Sequence, residues 1–245
     1  MEIRQKIEGI VAAETAAWRA PLPYRTPIVG YADAHDPLFA QLTDLIGSEQ
    51  ALPADILPAA ETVVAYFVPF SSEMARLARE DSGAPDIWSD YYEGTNELLA
   101  HIAARLGAEL AEDGIEVATQ PPTSNYDPAS LRARWSHKSA AVIAGIGTFG
   151  LNRLVVTRLG TMGRIGSVVI DRRIEPSARP EGALCLWYRD GSCAACVQNC
   201  PSGALTREGF DRFRCDAYLK EKNSLPGRHG CFRCSVGPCA IRGFA

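Results

Sequence analysis

Apolar residues in the first eighteen positions recur at helical spacing: Ile3, Ile7, Ile10, Val11 and Trp18 share one face, which predicts an N-terminal amphipathic helix. Residues 61–68 read ETVVAYFV, β-branched and aromatic with no polar alternation, and stop at Pro69. That run predicts a buried strand. Leu98, Leu99, Ile102, Leu106 and Leu110 step by three and four, predicting a helix over 95–112 that ends at Gly114. A short strand is expected at 115–118, and a loop rich in Pro, Asn and Ser at 121–128. Residues 131–143 predict a helix with Arg132, Arg134 and Lys138 on a basic face. A glycine-rich turn follows at 145–150, then strands at 153–157 and 166–171 separated by Gly160 and Gly163. Residues 172–184 are a polar linker. The mixed pattern predicts an α+β fold, with a body at 1–178 and a tail at 179–245.

Composition adds bounds. With 245 residues, 47% of them hydrophobic, the chain can bury one sizeable core with a small module attached. A net charge of -4 supplies no global basic field, so stable nucleic-acid binding is not expected. No apolar run reaches the roughly 18 residues a membrane helix needs. The N-terminus lacks the basic start, apolar stretch and cleavage site of a signal peptide. A cytoplasmic location is therefore expected, where clustered cysteines favour metal over disulfides.

All eight cysteines lie in the tail: Cys185, then Cys193, Cys196 and Cys200 followed by Pro201, then Cys215, then Cys231, Cys234 and Cys239. The run C-x-x-C-x-x-x-C-P is the loop of a low-potential ferredoxin, in which the last cysteine ligates the other cluster. Applied here, Cys185, Cys193, Cys196 and Cys239 hold one 4Fe–4S cluster. Cys200, Cys215, Cys231 and Cys234 hold the second. The ferredoxin pattern has a further cysteine where Asp190 stands, so either Cys185 reaches in or Asp190 serves as a ligand. Two structural zinc sites would also use eight cysteines, and disulfides or free thiols are a third reading. Zinc gives no reason for the Pro-Ser-Gly-Ala-Leu continuation after Cys200.

Gly145, Gly147 and Gly150 form a G-x-G-x-x-G turn, with Asp171 at the distance of a ribose-binding acid. A flavin or nicotinamide site is one reading, although the residues after the turn are strand-like rather than helical. The segment Ala144-Gly-Ile-Gly-Thr-Phe-Gly-Leu-Asn152 resembles the AGLGWxGKN segment of epoxyqueuosine reductases, which are related to reductive dehalogenases. The tail resembles them as well: Asp190-Gly-Ser-Cys193, Cys200-Pro-Ser-Gly-Ala-Leu205, Cys215-Asp-Ala-Tyr-Leu219 and Gly230-Cys231-x-x-Cys234. The resemblance implies a nitroreductase-like body that holds base-off cobalamin, with a C-terminal dicluster ferredoxin-like module.

The same resemblance implies a reductase that passes electrons through two 4Fe–4S clusters to cobalamin. Its substrate would be a small molecule or modified nucleoside, and its donor a low-potential carrier such as ferredoxin or flavodoxin. Gly145, Gly147 and Gly150 would let backbone approach the corrin, and Ser136, Lys138, Asn152 and Arg164 would bind cofactor groups. His137, Asp127 and Tyr91 are the proton-donor candidates. Where the family carries its catalytic aspartate this chain has Leu131, and Asp127 is the nearest acid. Such enzymes also carry a helical-repeat domain that contacts tRNA, whereas this sequence stops at Ala245. A two-cluster electron-transfer protein without cobalamin is the main alternative.

Overall fold

The strand expected at 61–68 is the spine of the computed structural model, which describes residues 2–80, 84–121, 126–223 and 230–244. In chain order the elements are α1 (Ile3–Ala17), β1 (Ile28–Asp33), α2 (Pro37–Ile46), α3 (Pro53–Ile56), β2 (Thr62–Pro69), α4 (Ser72–Glu80), α5 (Ala84–Ala111), β3 (Val117–Thr119), β4 (Tyr126–Asp127), β5 (Arg132–Ala133), α6 (His137–Ile143), β6 (Gly147–Phe149), β7 (Val155–Thr157), β8 (Gly163–Ile170), α7 (Leu186–Asp190), α8 (Ala195–Gln198) and α9 (Arg212–Asn223).

The main sheet runs β1-β2-β8-β3, and every pairing in it is antiparallel. An antiparallel sheet commonly leaves one face to water. Here both faces are covered, which is why β2 reads as a continuous apolar run. Val64, Tyr66 and Val68 point to one side, where Ile7 and Val11 of α1 and Leu98, Ile102 and Leu106 of α5 close the core. Val63, Ala65 and Phe67 point to the other side, against Ala140, Ala141 and Ile143 of α6 with Phe39 and Trp135. The period-two alternation assigns neighbouring residues to different cores.

The helix expected over 131–143 is shorter. Arg132–Ala133 pairs instead with Tyr126–Asp127 in a small hairpin, and Leu131 takes a left-handed φ of 54°. Ser136 then caps α6 by accepting from the Ser139 amide at 3.1 Å. A serine favours that cap over a helix interior because its oxygen satisfies an orphan amide of the first turn. Arg132 and Arg134 therefore lie before the helix, and of the expected basic face only Lys138 is on it. The dinucleotide-binding reading fails locally as well: β6 and β7 pair as a hairpin immediately after Gly145, where that motif requires a helix. Asp171 spends a carboxylate oxygen on the Glu116 amide.

The tail returns to the body through its last residues. The amides of Thr161 and Met162 donate to the carbonyls of Cys239 and Ala240, and the Gly243 amide donates to Arg158. Arg25 donates to Phe70, Leu159 and Ile241 carbonyls at 2.8, 2.6 and 3.1 Å, tying three segments together.

Candidate functional site: a four-sulphur cavity and a basic groove

Cys185 caps α7, Cys196 lies in α8, and Cys239 follows the 3₁₀ turn of Arg233–Ser235. These three, with Cys193, line one small cavity closed by Leu151, Asn152, Leu186, Pro238 and Phe244. Burial pushes the Cys239 thiol up to about 12, and the neighbouring Cys185, Cys196 and Cys193 sulphurs add to it. Cys196 is pushed up to about 11 by burial, then by Cys185 and Cys193. The Cys234 thiol rises to about 12 through burial, then through Cys231 and Cys215, with Cys196 and Cys200 behind them. Cys215 rises through burial, Cys231 and Cys200. Cys185, Cys193, Cys196 and Cys239 thus share a cavity, while Cys200, Cys215, Cys231 and Cys234 influence one another, with Cys196 also acting on Cys234.

Asp190 is on the surface, accepting from the Ser192 amide at 2.9 Å, and does not line the cavity. Cys185 fills its place. Among the described residues, no three His, Cys, Asp or Glu side chains converge on a single ion position.

A groove of cavities that share lining residues runs along the body, linked toward Cys234 through the Lys138–Arg153 and Asn152–Cys234 hydrogen bonds. The innermost, about 330 Å³, is walled by Phe67, Trp135, Leu154, Val155 and Ile165, with Ser136, His137, Lys138, Thr161 and Arg164 supplying polar atoms. Two of those polar groups, the Thr161 hydroxyl and Arg164 Nε, are buried without a hydrogen-bond partner. Buried donors are rarely left unpaired, so an orphaned pair on one cavity wall marks a place for a ligand's acceptors. Arg164 also stacks its guanidinium over Tyr92 at 4.4 Å. Outward, the groove widens to about 640 Å³ between Ser136, Lys138, Phe149, Arg153, Phe210 and Arg212. It then reaches a third cavity where Asp127 and Arg132 sit. Lys138 is an exposed residue lining the groove; the desolvation it does feel lowers its pKa, against the opposing pull of Cys234.

Several expected site residues have other occupations. Tyr91 is fully buried in an aromatic cluster with Phe70 and Tyr24, its hydroxyl donates to the Leu22 carbonyl, and it does not line the groove. A Cβ on Gly147 would stand 2.3 Å from the Val156 carbonyl, and one on Gly150 would meet Asn152 Oδ1 at 2.7 Å. Gly145 has a φ of +76°, and its Cβ would meet the Ala178 carbonyl at 2.5 Å. Internal packing therefore requires all three glycines, and none lines the groove. Asn152 is buried too; its amide donates to the Cys234 carbonyl at 3.0 Å and its oxygen accepts from the Leu154 amide.

His137 does reach the groove wall, but as a neutral ring. Burial lowers its pKa first of all, opposed by its contact with Pro121. Nε2 is 3.1 Å from the Pro121 carbonyl, so that nitrogen carries the proton. Nδ1, 2.7 Å from the Ser167 hydroxyl, accepts, and the same hydroxyl accepts from Trp135 Nε1 at 2.9 Å. Asp127 accepts from the Ala129 and Ser130 amides. The Ser130 hydroxyl, and after it these two amides, hold its carboxyl below the usual range, as a carboxylate. Sequence reasoning missed Trp135 and Thr161, whose roles arise from the pairing of distant segments.

This arrangement defines a mixed helix–sheet protein of the fold shared by epoxyqueuosine reductases and reductive dehalogenases. A solved epoxyqueuosine reductase bound to an epoxyqueuosine-modified tRNA stem loop superposes with a TM-score of 0.64 over 100% of this chain and 67% of that one, at 18% identity. A reductive dehalogenase described with a B12-dependent mechanism gives 0.51 over 78% of this chain and 27% of its own, at 14% identity.

In sequence the chain is similar to epoxyqueuosine reductases: seven curated proteins of that name match. The one from Listeria monocytogenes is 26% identical over 224 residues, 84% of this chain and 54% of the relative. The chain spans about half the length of the first curated relatives it matches. No family model matches. Among the described residues, no helix is long and apolar enough to cross a membrane.

Proposed function

We propose that the chain is a cobalamin-dependent iron–sulfur reductase. Cys185, Cys193, Cys196 and Cys239 hold one 4Fe–4S cluster, and Cys200, Cys215, Cys231 and Cys234 hold the other. The observation that carries this reading is the cavity lined by Cys185, Cys193, Cys196 and Cys239, together with a groove whose wall presents unpaired buried donors. Epoxyqueuosine reductases, its relatives by sequence, give the reading its chemical class.

Cobalamin, when bound, supplies a strong nucleophile and one-electron donor. The chain's part is to hold and shield it. Phe67, Trp135, Leu154 and Val155 exclude water from the inner groove. Ser136, Thr161 and Arg164 offer donors to carbonyl or phosphate oxygens of the cofactor, and Lys138 stands between this wall and the second sulphur set. His137, kept neutral and fully hydrogen-bonded, orients the wall and is not poised to give up a proton. Asp127, ionised at the groove's outer end, suits proton acceptance or the steering of a donor. A modified nucleoside or another small molecule would enter by the wide end, where Phe149 and Phe210 offer faces for stacking. A low-potential carrier such as ferredoxin or flavodoxin would supply electrons one at a time, in the cytoplasm.

The test is anaerobic reconstitution followed by metal analysis and cob(II)alamin titration. About eight iron atoms per chain, absorbance near 400 nm that bleaches with dithionite, and micromolar cob(II)alamin affinity are expected. Zinc in place of iron would sink the cluster assignment. Full iron with no cobalamin binding would leave a two-cluster electron-transfer protein. That second reading has one specific observation in its favour, since the glycine turn is accounted for by packing alone.

A further inference from the structure

Lys138 occupies a junction. It is the second residue of α6, and its side chain lines both the inner and the wide part of the groove. Its ammonium donates to the Arg153 carbonyl at 3.2 Å. The neighbouring residue, Asn152, donates to the Cys234 carbonyl at 3.0 Å while lining the cavity of the other sulphur set. No carboxylate is paired with Lys138 among the described ion pairs. After desolvation, two groups act on its charge: the Cys234 sulphur, which raises its pKa, and Arg212, a like charge, which lowers it. A cation lining the groove with no carboxylate among its described ion pairs is free to act on a nearby anionic group.

We infer that Lys138 is a positioning residue for the electron exit: its fixed charge raises the reduction potential of the cluster held by Cys200, Cys215, Cys231 and Cys234. The inference rests on the iron–sulfur reading above. The electrostatics are simple. A 4Fe–4S core with four thiolates carries a charge of about -2 oxidised and -3 reduced, so a nearby cation stabilises the reduced form more. One electron from a low-potential carrier enters, no bond is made or broken, and the electron rests longest on the cluster beside Lys138. Because Lys138 lines the groove, the arrangement favours flow toward the groove over return to the carrier.

The experiment is an EPR-monitored redox titration of the full chain, cluster-reconstituted and free of cobalamin, as wild type and as Lys138→Met, Lys138→Gln and Lys138→Arg. The neutral variants are expected to shift one of the two reduction waves downward by about a tenfold change in the reduced-to-oxidised ratio, roughly 59 mV for one electron. The other wave stays in place, and Lys138→Arg stays within about threefold of wild type. The inference is overturned if both neutral variants titrate with wild type, if Lys138→Arg shifts as far as Lys138→Met, or if the neutral variants lose iron, since the role is then structural. Wild type without iron would instead overturn the cluster reading itself.

Discussion

The body and the tail of this chain are held together by different means. In the body, a sheet is closed on both faces, and residues such as Val63, Val64, Phe67, Leu98 and Ile102 are almost wholly buried. Burying one such side chain stabilises by about 1.5–3 kcal/mol, and dozens do so. In the tail, α7 and α8 span five and four residues, and neither buries a full residue. Cysteine side chains share the interior: Cys185 is buried, and Cys196 and Cys239 pack beside Leu151, Val156 and Leu184, while Phe232, Val236 and Ala240 pack on Phe70, Met74 and Tyr91 of the body. A hydrophobic pattern encodes the first region, and a cysteine pattern joined to a smaller apolar share the second. The body should therefore fold on its own terms, and the tail only as well as its sulphurs are bridged.

The sharpest way to break that contrast is to remove ligands. Cys200→Ser and Cys234→Ser should give the same outcome although they lie in different sequence groups. Each should lose about half the iron, and each should make the tail the first site of limited proteolysis. Cys239→Ser should instead pair with Cys193→Ser. Matching phenotypes within a sequence group, Cys200 with Cys196 for example, would defeat the interleaved assignment. The body's α5 should stay protease-resistant in all four.

Next in size is Gly147→Val. Its Cβ would stand 2.3 Å from a backbone carbonyl that has no room to yield inside a hairpin. A loss of about 3 kcal/mol or more is expected in denaturant unfolding followed by fluorescence. Cobalamin affinity and cluster content should fall together, because β6 and β7 lie under both sites. Selective loss of cobalamin binding would show that the glycine faces the cofactor after all. Ser167→Ala should cost less, about 1–3 kcal/mol, by leaving Trp135 Nε1 and His137 Nδ1 without their shared partner.

The same division governs what could be read from the chain. β2, α1 and the leucine face of α5 were legible because periodicity reports burial directly. The cavity shared by Cys185, Cys193, Cys196 and Cys239 was legible because loop spacing constrains which sulphurs can approach one another. β1 was not, since Ile28–Asp33 carries a glycine whose reason is remote: a Cβ on Gly30 would stand 2.3 Å from the Ala144 carbonyl. The false helix over 131–135 came from apolar spacing that a left-handed Leu131 and the Ser136 cap override. At the site, Ser136, His137, Lys138 and Arg164 were identifiable as polar residues near the turn, and they do line the groove. Tyr91 and Asn152 were misjudged because a polar atom's partner can lie far away in sequence, as Leu22 and Cys234 do.

The smallest expected effect concerns His137, which the body keeps neutral. Its folded pKa lies below the ordinary value of 6.5, chiefly through burial. The unfolded chain takes up a proton near pH 6.5, while the folded chain resists until lower pH. Its contribution is therefore fully present above about pH 6.5 and is lost progressively as pH falls, levelling off below the folded pKa. The slope from this one group cannot exceed about 1.4 kcal/mol per pH unit. His137→Gln removes the titration, so its unfolding free energy should decline less steeply than wild type between about pH 6.5 and 5, with a constant offset above pH 7. Urea midpoints taken across that range at fixed ionic strength measure it. Parallel curves would mean that the ring gains its proton as easily inside as outside, restoring His137 as a candidate proton donor and weakening the contrast between a body that excludes charge and a tail built to hold it.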